Sequence, residues 1–260
     1  MCRLFAYLGK KTTLAPVMLE PRHSLLVQSY QPQEMTSGLL NADGFGVGWY
    51  HPRQDVEPFI YRQILPMWND VNFTEHLGRY IESTCMLANI RSATPGQAIQ
   101  LSNCQPFRWG RWLGVHNGFI ENFRETLYRP LRDRLGDVCY TMVEGNTDSE
   151  HIFALFCNEM LANPQLSPVL VLRQTLQTVL TLAQAWRVRV ALNLVFTDGT
   201  YLLAARCARP HPIPSLYWWQ DAQKCQIASE PLDNSDQWQP LMENTLLLMG
   251  ANSEPQLYNL

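Results

Sequence analysis

The chain has 260 residues, 46% of them hydrophobic and only 17% charged, with eight Trp. That is enough chain to bury most of its unfolded surface, and the composition excludes extended disorder. A formal net charge of -3 excludes the basic footprint of a nucleic-acid binder.

No apolar run reaches the length of a membrane span. The N-terminal segment lacks an apolar stretch of signal-peptide length, and Lys10 and Lys11 follow at once, so a cytoplasmic location is expected. Seven Cys stand at positions 2, 85, 104, 139, 157, 207 and 225. An odd count without short repeated spacing fits neither a disulfide framework nor a zinc site. Six of them read as buried thiols, and Cys2 stands apart because of its position.

Residues 3–8 read as a strand that starts almost at the first residue. Residues 13–30, with Pro16 and Pro21, predict short helical turns and loops. Asn41-Ala42-Asp43-Gly44-Phe45-Gly46-Val47-Gly48-Trp49 reads as a turn feeding a strand with close backbone approach, and 57–63 as its hairpin partner. A helix is expected over 70–83 and a buried strand over 85–90. Trp112 to Gly118 reads as a strand ending in an Asn-Gly turn, and 119–135 as helical around Pro130. Asp148 falls in the first turn of a helix running to about 161, where the dipole favours an acid. Pro168 opens a second long helix, to 186. Residues 188–196 and 201–206 flank Asp198-Gly199 as a hairpin, three more strands follow, and the tail from 250 reads as loop. Strands, helices, then strands again, without βαβ alternation, predict an α+β layered fold. With no repeat or linker in sight, residues 1–260 read as one domain.

Cys2 becomes a special residue if Met1 is trimmed, as a small second residue allows. It would then carry a thiol and a free α-amine with a pKa near ~8, able to take the thiol proton at neutral pH. Nucleophile and general base would sit on one residue. Alone, Cys2 reads more readily as a residue that merely follows the start codon and packs in an edge strand.

Five ordered pieces change that reading: Met1-Cys2-Arg3, Asp43-Gly44-x-Gly46-x-Gly48-Trp49, Arg91-Ser92-Ala93-Thr94-Pro95-Gly96, His116-Asn117-Gly118-x-Ile120-x-Asn122 and Thr147-Asp148-Ser149-Glu150. Together they resemble the class II glutamine amidotransferases, a family of N-terminal nucleophile hydrolases. The resemblance implies a four-layer αββα sandwich and amide hydrolysis by Cys2, with neither metal nor cofactor. It implies that the Asn117 side-chain amide and the Gly118 N–H hold the oxyanion. Arg91 would take the substrate α-carboxylate with help from Thr94, and Asp148 the α-ammonium. Simpler readings stand beside these: a turn at Asn117-Gly118, a surface ion pair at Arg91, a turn cap at Thr94 and a helix-terminal acid at Asp148. His116 reads as a supporting group, since the amine already supplies a base, and Cys104 has no chemical role.

Two departures refine the expectation. Family synthases carry Arg-Trp-Ala-Thr-His-Gly where this chain has Arg91-Ser92-Ala93-Thr94-Pro95-Gly96. A smaller pocket wall would admit a γ-glutamyl group bearing more than ammonia. The sequence also shows no acceptor domain after the amidohydrolase pattern, so the expectation is a stand-alone hydrolase. Short members starting Met-Cys-Arg are similar to the γ-glutamyl amidohydrolases of ergothioneine biosynthesis, which release glutamate from a γ-glutamyl-cysteinyl sulfoxide conjugate of hercynine. The alternatives are a glutaminase subunit feeding ammonia to a separate synthase, and a non-catalytic γ-glutamyl-binding module. A small-molecule γ-glutamyl substrate is the expected ligand. Nucleic acid and membrane are not expected partners, and a homo-oligomer or a synthase partner is left open.

Overall fold

A computed structural model describes residues 2–35, 38, 40–51, 57–93, 97–210 and 213–260. In chain order its elements are β1 (Arg3–Thr13), α1 (Ala15–Met18), α2 (Leu25–Tyr30), β2 (Phe45–Trp49) and β3 (Phe59–Gln63). A 3-10 turn (Met67–Asn69) and a π-helical turn (Asn72–Leu77) lead to α3 (Gly78–Tyr80), then β4 (Glu82–Ile90), β5 (Phe107–Trp109) and β6 (Trp112–Ile120). Next come α4 (Tyr128–Arg132), α5 (Asp137–Thr141), α6 (Asp148–Ala162) and α7 (Pro168–Trp186). The chain closes with β7 (Val190–Thr197), β8 (Tyr201–Arg209), β9 (Tyr217–Gln220), β10 (Lys224–Ala228), β11 (Gln239–Pro240), β12 (Thr245–Gly250) and β13 (Gln256–Asn259).

The strands form two antiparallel sheets, ordered β11-β9-β10-β1-β4-β2-β3 and β13-β12-β8-β7-β6-β5. Three apolar layers separate four structural ones. Leu4, Ala6, Leu87, Val115, Val195 and Ile227 fill the space between the sheets. Phe5, Tyr7, Phe45, Val47 and Phe73 join the first sheet to the short helices. Phe153, Phe156, Leu172, Leu176, Leu192 and Phe196 join the second sheet to α6 and α7. The fold is therefore the expected α+β αββα sandwich.

Strand alternation explains both layers from one sequence. In β1 the even residues Leu4, Ala6 and Leu8 face the opposite sheet, while Phe5 and Tyr7 face the helices. The long helices carry their own signals. Ser167 caps α7 by accepting from Leu170 N, Pro168 occupies its first position, and Arg187 ends it at φ 55°. Thr147 caps α6 by accepting from Glu150 N. The Asp198-Gly199 hairpin forms as expected, with Gly199 at φ 91°.

Four local readings fail for identifiable reasons. Asn117-Gly118 is not a turn: β6 continues through it, pairing Asn117 with Asn193 and Gly118 with Leu192, and tertiary pairing overrides local turn preference. Residues 119–135 form only the short α4, because Asn122 adopts φ 47° and interrupts any helix there. The helix expected to 83 stops at Tyr80, since β4 begins at Glu82 to pair with the far end of β1. The tail is not all loop, as β13 adds to the sheet edge beside β12.

Candidate active site

The inter-sheet layer changes character at one end of the sandwich. Residues in step with Leu4, Leu87, Val115, Val195 and Ile227 become Cys2, Asn89, Asn117, Asn193 and Ser229. Asn89, Asn117, Asn193 and Ser229 are all buried. Polar side chains so deep inside a sandwich need partners, and several lack them. Both side-chain polar atoms of Asn89, and Oδ1 of Asn117 and Asn193, have none among the described residues. Each such atom calls for an explanation, a catalytic role or a bound water or ligand among them.

Cys2 is the one partly exposed thiol; the other six are buried, and all seven are free. Burial pushes Cys85, Cys207 and Cys225 up to about 12 and Cys157 well above its ordinary value, so those thiols stay protonated and inert. The Arg3–Ile90 pairing brings Cys2 to the segment that follows β4, where its Sγ lies 3.7 Å from the Ser92 carbonyl oxygen.

Behind Cys2 stands a buried ionic cluster. Arg3 Nη1 donates to the Cys2 carbonyl oxygen at 2.9 Å, and its Nε lies 2.7 Å from Glu230 Oε1. Glu230 also pairs with His23 Nε2 at 2.6 Å and accepts from Gln33 N and Glu34 N. Burial pushes the Glu230 carboxyl up, but His23, the Gln33 and Glu34 N–H groups and Arg3 outweigh it and hold it below the usual range.

Arg91 follows β4 directly and is buried. Its guanidinium donates to Asp43 O at 3.4 Å, Gln97 Oε1 at 3.3 Å and Ala98 O at 3.2 Å. Described residues thus engage three of about five donors. Asp43 clamps the same turn, since its Oδ2 accepts from Ala93 N at 2.7 Å and its backbone N–H donates to Arg91 O. The preceding loop can close this way because Gly44 sits at φ 110°, where a Cβ would meet Cys104 Sγ at 2.8 Å. Thr94, expected to assist Arg91, lies outside the described residues.

Asn117 Nδ2 donates to Ser229 Oγ at 3.4 Å, and Leu4 N donates to the same oxygen at 3.0 Å. The second sheet's amide is therefore tied through Ser229 to β1 in the first. Gly118 tolerates no side chain: a Cβ there would meet Ala191 O at 1.8 Å.

Asp148 fulfils its helix-terminal reading. Its Oδ1 accepts from Ser149 N at 2.8 Å and its Oδ2 from Ile120 N at 2.7 Å, two residues beyond Gly118. Four lone-pair directions leave room for a ligand ammonium as well. A hydrogen-bonded path joins Asp148's helix to the Arg91 turn: Asn146 Oδ1 to Asn103 Nδ2 at 3.0 Å, and Asn103 Nδ2 to Ala98 O at 2.9 Å. His116 Nε2 donates to Ala191 O at 3.1 Å, and Nδ1 pairs with Ser149 Oγ at 2.9 Å. Burial pushes this imidazole down despite the Asp148 charge, so it is a neutral strut.

A cavity of about 710 Å³ lies to one side, lined by Trp49, Phe59, Arg62, Arg108, Glu144 and Glu150 among others; none of Cys2, Arg91, Asn117 or Asp148 borders it. Among the described residues no group of three or more His, Cys, Asp or Glu is placed to hold a metal ion. No described helix is long and apolar enough to cross a membrane.

Two neighbours on α6 carry opposite pH dependences. Burial raises Glu150 to about 7 and lowers His151 to about 4. The Glu150 contribution is full below its ordinary 4.5 and is lost as pH rises to about 7. The His151 contribution is full above its ordinary 6.5 and is lost as pH falls to about 4. Over the shared window the two oppose each other. Glu150→Gln is expected to make stability rise with pH across that window, and His151→Gln to make it fall. Each change is on the order of 2–3 kcal/mol, measured by urea unfolding at successive pH values.

Comparison with known proteins agrees with this fold. A family model described as glutamine amidotransferases class-II matches residues 17–214, a span that begins after Cys2. The gamma-glutamyl-hercynylcysteine sulfoxide hydrolase of Mycobacterium tuberculosis (strain CDC 1551 / Oshkosh) is 39% identical over 121 residues, 46% of this chain and 50% of that protein. The probable glutamine amidotransferase DUG3 of Saccharomyces cerevisiae is 31% identical over 166 residues, 62% of this chain and 46% of that one. The chain spans about half the length of the curated relatives it matches. Among solved structures, a glutamine aminotransferase class-II domain protein from Silicibacter pomeroyi matches with TM-score 0.72 and 27% identity over 99% of both chains. The glutamine phosphoribosylpyrophosphate amidotransferase of B. subtilis shares the fold at TM-score 0.64 and 14% identity, covering 99% of this chain and 49% of that one.

Proposed function

Because the chain belongs to the class II glutamine amidotransferases, we propose that it is a hydrolase that cleaves a γ-glutamyl amide with the Cys2 thiol as nucleophile. One observation carries the reading: the single partly exposed thiol sits at the head of β1, 3.7 Å from the carbonyl of Ser92 in the Arg91 turn.

The reaction then runs on this chain's own groups. Removal of Met1 frees the Cys2 amine, which takes the thiol proton. The thiolate attacks the γ-carbonyl carbon. The Asn117 amide and the Gly118 N–H meet the oxyanion that forms. The amine leaves with a proton, and water releases glutamate from the thioester. Arg91, with Thr94, holds the α-carboxylate through its planar fork, and Asp148 holds the α-ammonium.

The substrate in this reading is a γ-glutamyl-cysteinyl sulfoxide conjugate of hercynine, supported by the names of the mycobacterial relatives. Ser92 and Pro95 in place of bulkier Trp and His support a leaving group larger than ammonia. A second reading, a glutaminase subunit that hands ammonia to a separate synthase, draws support from the yeast amidotransferase relative. The first sheet joins β1 to β9, β10 and β11 from far along the chain, which supports reading residues 1–260 as one domain.

Glutamate release by the purified protein tests the substrate. Under the first reading kcat/KM for the γ-glutamyl-cysteinyl sulfoxide conjugate exceeds that for free glutamine by at least roughly 10²-fold, since a pocket shaped for the leaving group discriminates by several contacts. Preference for glutamine would transfer the assignment to the ammonia-supplying subunit.

A further inference from the structure

Ser229 belongs to no role assigned so far, yet it joins the two halves of the site. Its Oγ accepts from Leu4 N at 3.0 Å and from Asn117 Nδ2 at 3.4 Å, so both lone pairs are filled, one from each sheet. Ser229 N also donates to Leu4 O at 3.0 Å, which extends the β1–β10 pairing to this residue. The hydroxyl is fully buried, and its own strand is pinned from below: Ser215 Oγ donates to Ser229 O at 2.8 Å, and the next residue, Glu230, holds Arg3.

The Asn117 amide is otherwise unsupported. Its Oδ1 has no partner among the described residues. One Nδ2 proton goes to Ser229, and because the amide is planar, that single bond fixes where the second proton points. The same oxygen fixes Leu4, two residues after Cys2. Nucleophile and oxyanion donor are thus referenced to one atom.

We propose that Ser229 is a positioning residue that sets the Asn117 amide against Cys2 for transition-state stabilisation. The proposal rests on the hydrolase reading above. Ser229 touches neither the thiol nor the reacting carbonyl; it acts through Asn117.

The test is a double-mutant cycle on glutamate release with Ser229→Ala, Asn117→Ala and the pair. Ser229→Ala is expected to lower kcat on the order of 10²-fold, the size of a misplaced donor, and to leave KM nearly unchanged, because Arg91 and Asp148 still hold the glutamyl group. In the Asn117→Ala background the same change is expected to cost almost nothing further. A merely structural serine would cost as much in either background, and so would a variant that had lost its fold. Additive effects, or a change in KM alone, would overturn the positioning role and leave the hydrolase reading intact. Glutamate release that survives Cys2→Ala would overturn both.

Discussion

Under the proposed mechanism, replacing Cys2 by alanine is expected to lower kcat for γ-glutamyl hydrolysis by on the order of 10⁴-fold or more, while γ-glutamyl ligands still bind. The effect is this large because no other group can take over the attack. The other six cysteines are buried, and four of them are held at about 12 or well above their ordinary value by burial. His116, which a reader of the sequence would test next, is locked between Ala191 and Ser149. Binding is expected to persist under that reading because Arg91 and Asp148 belong to other elements and keep their contacts with Asp43, Ala98 and Ile120. The same contrast is measurable without substrate. Native protein treated with iodoacetamide gains one adduct, at Cys2, whereas denatured protein gains seven, the full cysteine count. Intact mass of the untreated protein reports whether Met1 has been removed. Hydrolysis retained by Cys2→Ala would refute the mechanism outright.

Asn117→Ala is expected to have the second large effect, a loss of roughly 10²–10³ in kcat with KM little changed, the behaviour of a donor used only in the transition state. Stability is expected to respond far less. The folded protein already holds the Asn117 carbonyl buried and without a partner among the described residues, a state that costs about 1–3 kcal/mol, and the substitution removes that cost along with the donor. Steady-state kinetics and a melting curve on the same preparation separate the two. A melting point that collapses together with activity would count against the oxyanion role.

Much of this site is readable along the chain because its members occur in ordered local motifs. The Asn41-Ala42-Asp43-Gly44 loop, the Arg91 turn and the Asp148 helix start each announce themselves by residue type and spacing. What the sequence conceals is partnership across distance. Ser229 and Leu4 are 225 residues apart, and Glu230 meets Arg3 across a similar span, so neither role has a local signature. The one available hint is that Cys2, Leu4, Ala6 and Leu8 share a parity, which makes Cys2 part of the inter-sheet face once β1 is seen to be buried on both sides. Asn117-Gly118 misleads for the complementary reason. Its local chemistry favours a turn, and the eight-residue pairing of β6 with β7 overrides it. The strand at the tail escapes notice because Gln256–Asn259 is mostly exposed and lacks a clean alternation.

The position of β1 also dictates when the site can exist. The strand lies between β4 and β10, so one of its two neighbours is made early and the other only with residues 224–228. A chain emerging from the ribosome carries Cys2 from the start, but the serine and glutamate that hold Leu4 and Arg3 beside it arrive only with residues 229 and 230. Pairings of such long sequence separation also form late in folding, after the local hairpins. Chains that stop before residue 230 therefore carry Cys2 without the partners that order its strand.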